Sequence, residues 1–277
     1  MQNLSTKIIS VAYFLSFASV SYAGTPDALK STDDGTGFIG AVVLSSAEYS
    51  GSDQQDLTIL PYLSLKNVKG FDLRASTLSY RLFEAGTGRG IGKWSLRAGP
   101  TIGYQDGRDS DDSPTLTGLE DVDFSIPVGG QIRSTFGPVG VQLNLAKDIA
   151  GGHDGITGDV SIGTLYRNGN FAIQPFAAAH WGNNDYHDSF FGISAEQSAA
   201  SGLAAFEADS GLYAYSANVV TWVEFGEHNT YAVTLLGSYK KFTGDADDSP
   251  ILNAVDGTDN EVTVALAFAR KFDSTKW

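Results

Sequence analysis

Val122-Asp123-Phe124-Ser125-Ile126-Pro127-Val128-Gly129-Gly130-Gln131-Ile132-Arg133 alternates apolar residues with small or polar ones over its whole length. Successive side chains of an extended strand point to opposite faces. Val122, Phe124, Ile126, Val128, Gly130 and Ile132 therefore share one face, and Asp123, Ser125, Pro127, Gly129, Gln131 and Arg133 the other. After a turn at Gly137-Pro138 the pattern returns, with Val139, Val141, Leu143 and Leu145 opposed to Gly140, Gln142, Asn144 and Ala146. Farther on, Tyr213, Tyr215, Ala217, Val219, Thr221, Val223 and Phe225 oppose Ala214, Ser216, Asn218, Val220, Trp222 and Glu224, so the apolar set begins and ends in aromatics. Tyr231 and Tyr239 stand eight residues apart on one face. At about 3.3 Å per residue and a tilt near 40°, that separation is roughly 20 Å along a membrane normal, close to the spacing of two aromatic girdles.

A soluble sandwich alternates in the same way, but two features oppose it. Several segments run 10 to 14 residues, whereas soluble strands average about five or six and membrane strands need about 9 to 11. Their polar face is rich in Gly, Ser, Ala, Asn and Gln instead of Lys and Glu, as suits a crowded lumen. The expected fold is all-β, a transmembrane antiparallel β-barrel of 10–12 strands.

Eleven segments are clear: 37–47, 57–66, 71–84, 93–104, 122–136, 139–148, 156–167, 170–182, 211–224, 230–242 and 261–272. A single-chain bacterial barrel has an even number. The phase slips within 71–84, where Phe71, Leu73 and Ala75 give way to Leu78, Tyr80 and Leu82. A bulge or tight turn near Ala75-Ser76-Thr77 follows, and a turn makes the count twelve. The longer connections near 105–121, 149–155, 183–210 and 243–260 then share one side, expected to be the outer one, with short turns such as Asn168-Gly169 opposite.

The 277 residues carry a net charge of -14 with pI near 4.5, which repels a phosphate backbone and excludes nucleic acid as a partner. No cysteine occurs, so disulfides, thiolate metal sites and cysteine nucleophiles are excluded. Lys7, the apolar run from Ile8 to Val20 and Ser21-Tyr22-Ala23 read as a signal peptide over 1–23, cleaved before Gly24. The run is 13 residues, short of the roughly 20 that a spanning helix needs. The mature chain, 24–277, keeps a charge of -15 once Lys7 is removed. Its closing strand alternates Val262, Val264, Leu266, Phe268 and Phe272, interrupted by Arg270, and Asp273–Trp277 follow as a short tail.

Glu48-Tyr49-Ser50-Gly51-Ser52-Asp53 with Pro61 downstream, Gly99-Pro100, Gly107-Arg108-Asp109, Leu116-Thr117-Gly118-Leu119-Glu120-Asp121-Val122-Asp123, Phe191-Gly192-Ile193-Ser194 and Gly244-Asp245-Ala246-Asp247-Asp248-Ser249-Pro250-Ile251 occur in that order. In this order and spacing, across essentially the whole mature chain, they resemble the MipA/OmpV family of outer-membrane proteins. Its members close on the terminal aromatic itself, so the tail after Phe272 departs from the pattern. The resemblance implies an outer-membrane scaffold that brings together a lytic murein transglycosylase and a murein synthase. Other members are described as adhesins or stress-responsive barrels. The resemblance supplies no catalytic residues.

The residues themselves agree. Histidines 153, 180, 187 and 228 are scattered, without a His-Glu-x-x-His helix, and His180 lies on the lumen face by parity. Gly192-Ile193-Ser194-Ala195-Glu196 lacks the second glycine of a nucleophile elbow, and Ser194 with Gln197 reads as a capping box over a short helix. Gly86-Thr87-Gly88-Arg89-Gly90 lacks the phosphate-loop pattern and reads as a turn. His187-Asp188 is the one adjacent pair to test for an enzyme. No catalytic, cofactor or metal residue is assigned. Asp106, Asp109, Asp111, Asp112, Glu120 and Asp121 crowd one long connection, and Asp245, Asp247, Asp248, Asp256 and Asp259 another. They suit a solvated rim that meets lipid and lipopolysaccharide through Mg²⁺ or Ca²⁺. Parity places Arg97, Asp123, Arg133, Asp159, Arg167, Glu224 and Lys240 inside, with the 183–210 loop as a candidate plug. The expected role is a non-enzymatic outer-membrane scaffold, with a small-solute channel or surface adhesin as alternatives.

Overall fold

The computed structural model describes residues 35–74, 76–88 and 91–273. Residues 1–34, which include the stretch 1–23 read as a signal peptide, and residues 274–277 of the tail lie outside them. The strands are β1 Thr36–Ala47, β2 Gln55–Val68, β3 Phe71–Arg74, β4 in two pieces, Thr77–Tyr80 and Phe83–Gly86, β5 Trp94–Ile102 and β6 Pro127–Phe136. They continue as β7 Val139–Asp148, β8 Ile156–Thr164 extended by Tyr166–Asn168, β9 Phe171–Gly182, β10 Gly211–Phe225, β11 Tyr231–Phe242 and β12 Asn260–Asp273. Each pairs antiparallel with its neighbours in chain order, and β12 pairs with β1 from Thr36↔Asp273 to Ser45↔Val264. The twelve strands thus close into a barrel, and ladder pairing satisfies most backbone groups that would otherwise face hydrocarbon, the upper part of β2 beside β3 excepted.

The even count arises where the phase slip indicates. Arg74 pairs with Thr77, so a tight hairpin separates β3 from β4. A second irregularity splits β4, because β5 pairs Leu78↔Ile102 and Ser79↔Thr101 and then resumes at Phe83↔Ala98. There the chain crosses closely over Gly99, whose absent Cβ would fall 1.7 Å from the Tyr80 carbonyl oxygen. No larger residue fits under that crossing.

Outside, the apolar set faces away from the barrel: Val43, Ile59, Ile132, Leu143, Val160, Val219, Leu235, Val264 and Leu266 are all exposed. At the short-turn end aromatic pairs mark the lower girdle, with Phe71–Tyr80 at 4.8 Å and Phe225–Tyr231 and Tyr231–Phe268 both at 5.8 Å. Tyr215 and Tyr239 stand exposed nearer the opposite end. A closed barrel wrapped in an apolar band with aromatic girdles is an outer-membrane architecture.

Two readings of parity need correction. The segment over 122–136 is shorter than its alternation suggests: β6 starts at Pro127, and Val122 and Ser125 instead bridge Arg108 and Gln105 above the wall. Val122 is consequently buried, and Asp123 is exposed in the loop instead of lying in the lumen. Tyr213 is also buried, not lipid-facing, because the β9–β10 register shifts between His180 and Trp181 and reverses its face.

Candidate functional site

The long connections all leave the same end of the barrel and pack on one another. Tyr49, Leu116, Leu119, Val122, Tyr186, Phe190, Phe191, Ile193, Ala208, Ile251 and Leu252 form one buried cluster with Tyr213, Ala214, Phe242 and Ala246. Helix Asn184–Phe191 carries Tyr186, Phe190 and Phe191 of it, and a second helix, Ala195–Ser201, lies beside it in the same connection without a buried residue of its own. The Ala195–Ser201 helix has the expected capping box, with Ser194 Oγ accepting from the Gln197 N–H and the Gln197 side chain accepting from the Ser194 N–H.

Polar staples fasten this cap. Arg108 donates to the Phe190 carbonyl at 2.9 Å, and Ser249 Oγ to the Phe191 carbonyl at 2.7 Å. Ser113, Thr115 and Tyr49 all donate to the Asp256 carboxylate, which joins three connections. Burial raises the Asp256 pKa, but the Ser113 and Thr115 hydrogen bonds outweigh it and hold the group below its usual range. Burial likewise pulls the Arg108 guanidinium down to about 10. Other carboxylates of the long connections bind neighbouring groups at the surface of the cap. Asp121 accepts the Ser110 N–H at 2.7 Å, Asp245 the Asp209 N–H at 2.7 Å, and Asp259 binds Lys241. Among the described residues, no group of three carboxylates or imidazoles is placed to hold a metal ion.

Beneath the cap the lumen has two unlike sides. From β9 through β12 to β2, Phe176, Val220, Leu236, Ala265, Ala267, Val42 and Leu44 point inward and pack into an apolar layer with Leu60, Tyr62 and Trp222. From β3 to β8, polar residues line a cavity of about 100 Å³ bounded by Asp72, Arg74, Gln131, Arg133, Gln142, Asn144 and Asp159. Space of that size suits a few waters or a small polar group.

Parity correctly places the remaining charged lumen residues, and the register supplies their partners. Arg167 meets Glu224 at 2.7 Å, Lys240 meets Glu261 at 2.5 Å and Arg97 meets Glu84 at 2.6 Å. Arg133 donates from Nε and Nη2 to Gln142 Oε1 at 2.9 and 2.6 Å. Glu261 also accepts the Gly51 N–H at 2.7 Å, so this lumen pair reaches the β1–β2 connection.

One constellation escapes sequence reasoning. His180 Nδ1 lies 2.6 Å from Asp159 Oδ1, and its Nε2 lies 3.0 Å from Ser216 Oγ. Carboxylate, imidazole and hydroxyl in that order are the groups of a nucleophilic relay. A relay needs room for an acyl group at the hydroxyl. Ser216 is only 6% exposed, its oxygen already accepts from Asn218 Nδ2 at 3.0 Å, and the cavity is bounded by Asp159 and not by Ser216. The chain of bonds instead ties β8, β9 and β10 together. Parity alone puts Asp159, His180 and Ser216 inside, but only the His180↔Asp159 register brings the first two together. His187 and Asp188 form no pair, since His187 is buried among Tyr186, Phe191 and Tyr213 while Asp188 is exposed.

Two solved structures show what this barrel is similar to. An outer membrane channel from Pseudomonas putida F1 is 10% identical, with a TM-score of 0.40 over 90% of this chain and 100% of that one. OmpT of Vibrio cholerae is 8% identical, with a TM-score of 0.38 over 88% and 99%. Likeness at that level carries no functional argument. Among curated proteins, the MltA-interacting protein of Escherichia coli (strain K12) is 22% identical over 113 residues, 41% of this chain and 44% of that protein. Its Shigella flexneri counterpart matches equally. The matched stretch spans less than half the length of these relatives. The family model described as MltA-interacting protein MipA matches residues 39–272, nearly the whole barrel, and the chain belongs to that family.

Proposed function

We propose that this outer-membrane protein is a non-enzymatic scaffold that engages a lytic murein transglycosylase of the MltA kind and, through it, a murein synthase. The observation that carries the reading is the lumen: it is roofed by a packed cap and half filled by an apolar layer, which suits a rigid platform better than a pore for large solutes. Family membership supports the choice of partner. In this reading residues 1–23 are the cleaved export signal. The capped end faces outward, where its exposed acidic residues meet lipopolysaccharide through divalent ions. The short turns face the periplasm and the murein enzymes.

Cross-linked co-purification of the tagged mature protein from intact envelopes tests this. Enrichment of a murein transglycosylase over unrelated barrels, reduced when the 87–93 turn is shortened, is the expected result. Recovery of the barrel alone contradicts it. A small-solute channel is the second reading, favoured by the polar cavity running from Gln105 to Arg133. Binding to host cells or surfaces that is lost on shortening 183–210 points instead to an adhesin.

A further inference from the structure

The barrel wall is not equally tall all the way round. β2 pairs with β1 up to Gln55↔Ala47, but its ladder with β3 begins only at Ser64↔Arg74. β2 therefore rises nine residues, Gln55–Leu63, above the β3–β4 hairpin, roughly 30 Å along the strand at about 3.3 Å per residue. Strand tilt accounts for a stagger of only about one to two residues per strand. Elsewhere the longest overhang at this end is four residues, Asn260–Thr263 of β12 beyond Val264↔Ser45. The wall has a notch at β3–β4.

The polar cavity reaches that notch. Ser76 and Thr77 of the hairpin and Gly103, Tyr104 and Gln105 beside it line the cavity, which continues down to Arg74 and Arg133. Inward residues on β2 beside the notch, Thr58, Leu60 and Tyr62, stay partly exposed, whereas Val42 and Leu44 on β1 are buried. Apolar groups flank the opening on its outer face: Leu57 and Ile59 are 73% and 71% exposed, and Tyr104 stacks on exposed Phe124 at 5.7 Å. Inside, Asp72 is engaged by the Asn67 N–H at 3.1 Å and lies 3.7 Å from Arg74, while Asp159 is bound to His180. Arg133 is held by Gln142 Oε1 through Nε and Nη2, and it shares the cavity wall with Arg74 and the amide side chains of Gln105, Gln131 and Asn144. Guanidinium matches phosphate geometry, so an entering phosphate would compete with Gln142 and Asp72 for these two groups.

We propose that this cavity opens sideways into the bilayer through the notch and takes the phosphate-bearing head of a membrane lipid, whose chains lie along Leu57 and Ile59. This stands apart from the scaffold reading, since it needs no murein enzyme. The full-length protein, purified in uncharged detergent, is offered phosphatidylglycerol or sodium phosphate, and native mass spectrometry counts what stays bound. One retained phosphatidylglycerol is expected, bound roughly tenfold more weakly by Arg74→Gln/Arg133→Gln and not displaced by millimolar phosphate. Equal retention by wild type and variant, or displacement by phosphate, overturns the proposal. The chain has no cysteine, so Ser79→Cys, on the cavity wall, reports the route independently of those arginines. In vesicles a phospholipid carrying maleimide on its head should label it. Labelling by water-soluble maleimide alone overturns the lateral route.

Discussion

The two sides of the lumen obey the same alternation and end up chemically opposite. On β9–β2 the inward positions carry Phe176, Val220, Leu236, Val42 and Leu44, which pack into a solid layer. On β3–β8 they carry Arg74, Gln131, Arg133, Gln142, Asn144 and Asp159, which leave a cavity. Strand geometry determines which side chains point inward, and their chemistry then decides whether the interior is filled or open. A packed side resists deformation and contributes stability through burial, whereas a polar side is free to bind.

That contrast should show first in the response to truncation. Phe191 is fully buried at the centre of the cap, and Phe191→Ala is expected to cost about 3–5 kcal/mol. The loss should appear as rapid proteolysis within 183–210 and 243–260 while the folded barrel still migrates as the compact form on unheated gels. Leu236→Ala, in the apolar layer, should cost about 2–5 kcal/mol in urea titrations of protein refolded into vesicles. Gln131→Ala, on the cavity side and only partly buried, should change the same titration by less than about 1 kcal/mol; a cost equal to that of Leu236→Ala would erase the distinction between the two sides.

Smaller effects probe the staples. Asp256→Ala leaves the buried Ser113 hydroxyl and its neighbour Thr115 without their acceptor, at a cost of about 1–3 kcal/mol confined to the cap. The folded-state pKa of Asp256 is depressed, so its contribution is present above the unfolded carboxylate value and is lost as pH falls through the folded one. Burial also depresses the pKa values of His153 and His187 in the cap. Their neutral forms are favoured in the fold, so cap stability declines as pH drops below about 6.5 and the unfolded rings take up protons. Protection factors of the cap amides, taken relative to intrinsic exchange at each pH, should therefore fall between pH 7 and 5 and again in stronger acid, while those of the strand amides hold. Protection that is flat across both windows would contradict these assignments.

Most of the wall was legible because period-two alternation over long segments leaves few other folds, and the slip between Leu73 and Leu78 marks the hairpin that makes the strand number even. Less visible was anything that depends on register or on tertiary packing. Val122 and Tyr213 fit the lipid-facing pattern, yet both turn inward once the loops condense into a cap and β10 bulges at Tyr213. The charged lumen residues were placed by parity, except Asp123, but their partners could not be. Arg167 and Glu224 lie 57 residues apart in sequence, and His180 meets Asp159 only because of where β9 joins β8. The notch above β3–β4 depends wholly on ladder length, which no local pattern encodes.

The central claim is that this barrel is a platform with a roofed and half-filled lumen, not an open pore. Planar-bilayer recording of the full-length reconstituted protein tests it most directly. The account predicts a sealed membrane with no sustained, porin-like conductance steps at moderate voltage. Stable steps whose size or ion selectivity changes in Arg133→Gln would contradict it and make the lumen a channel.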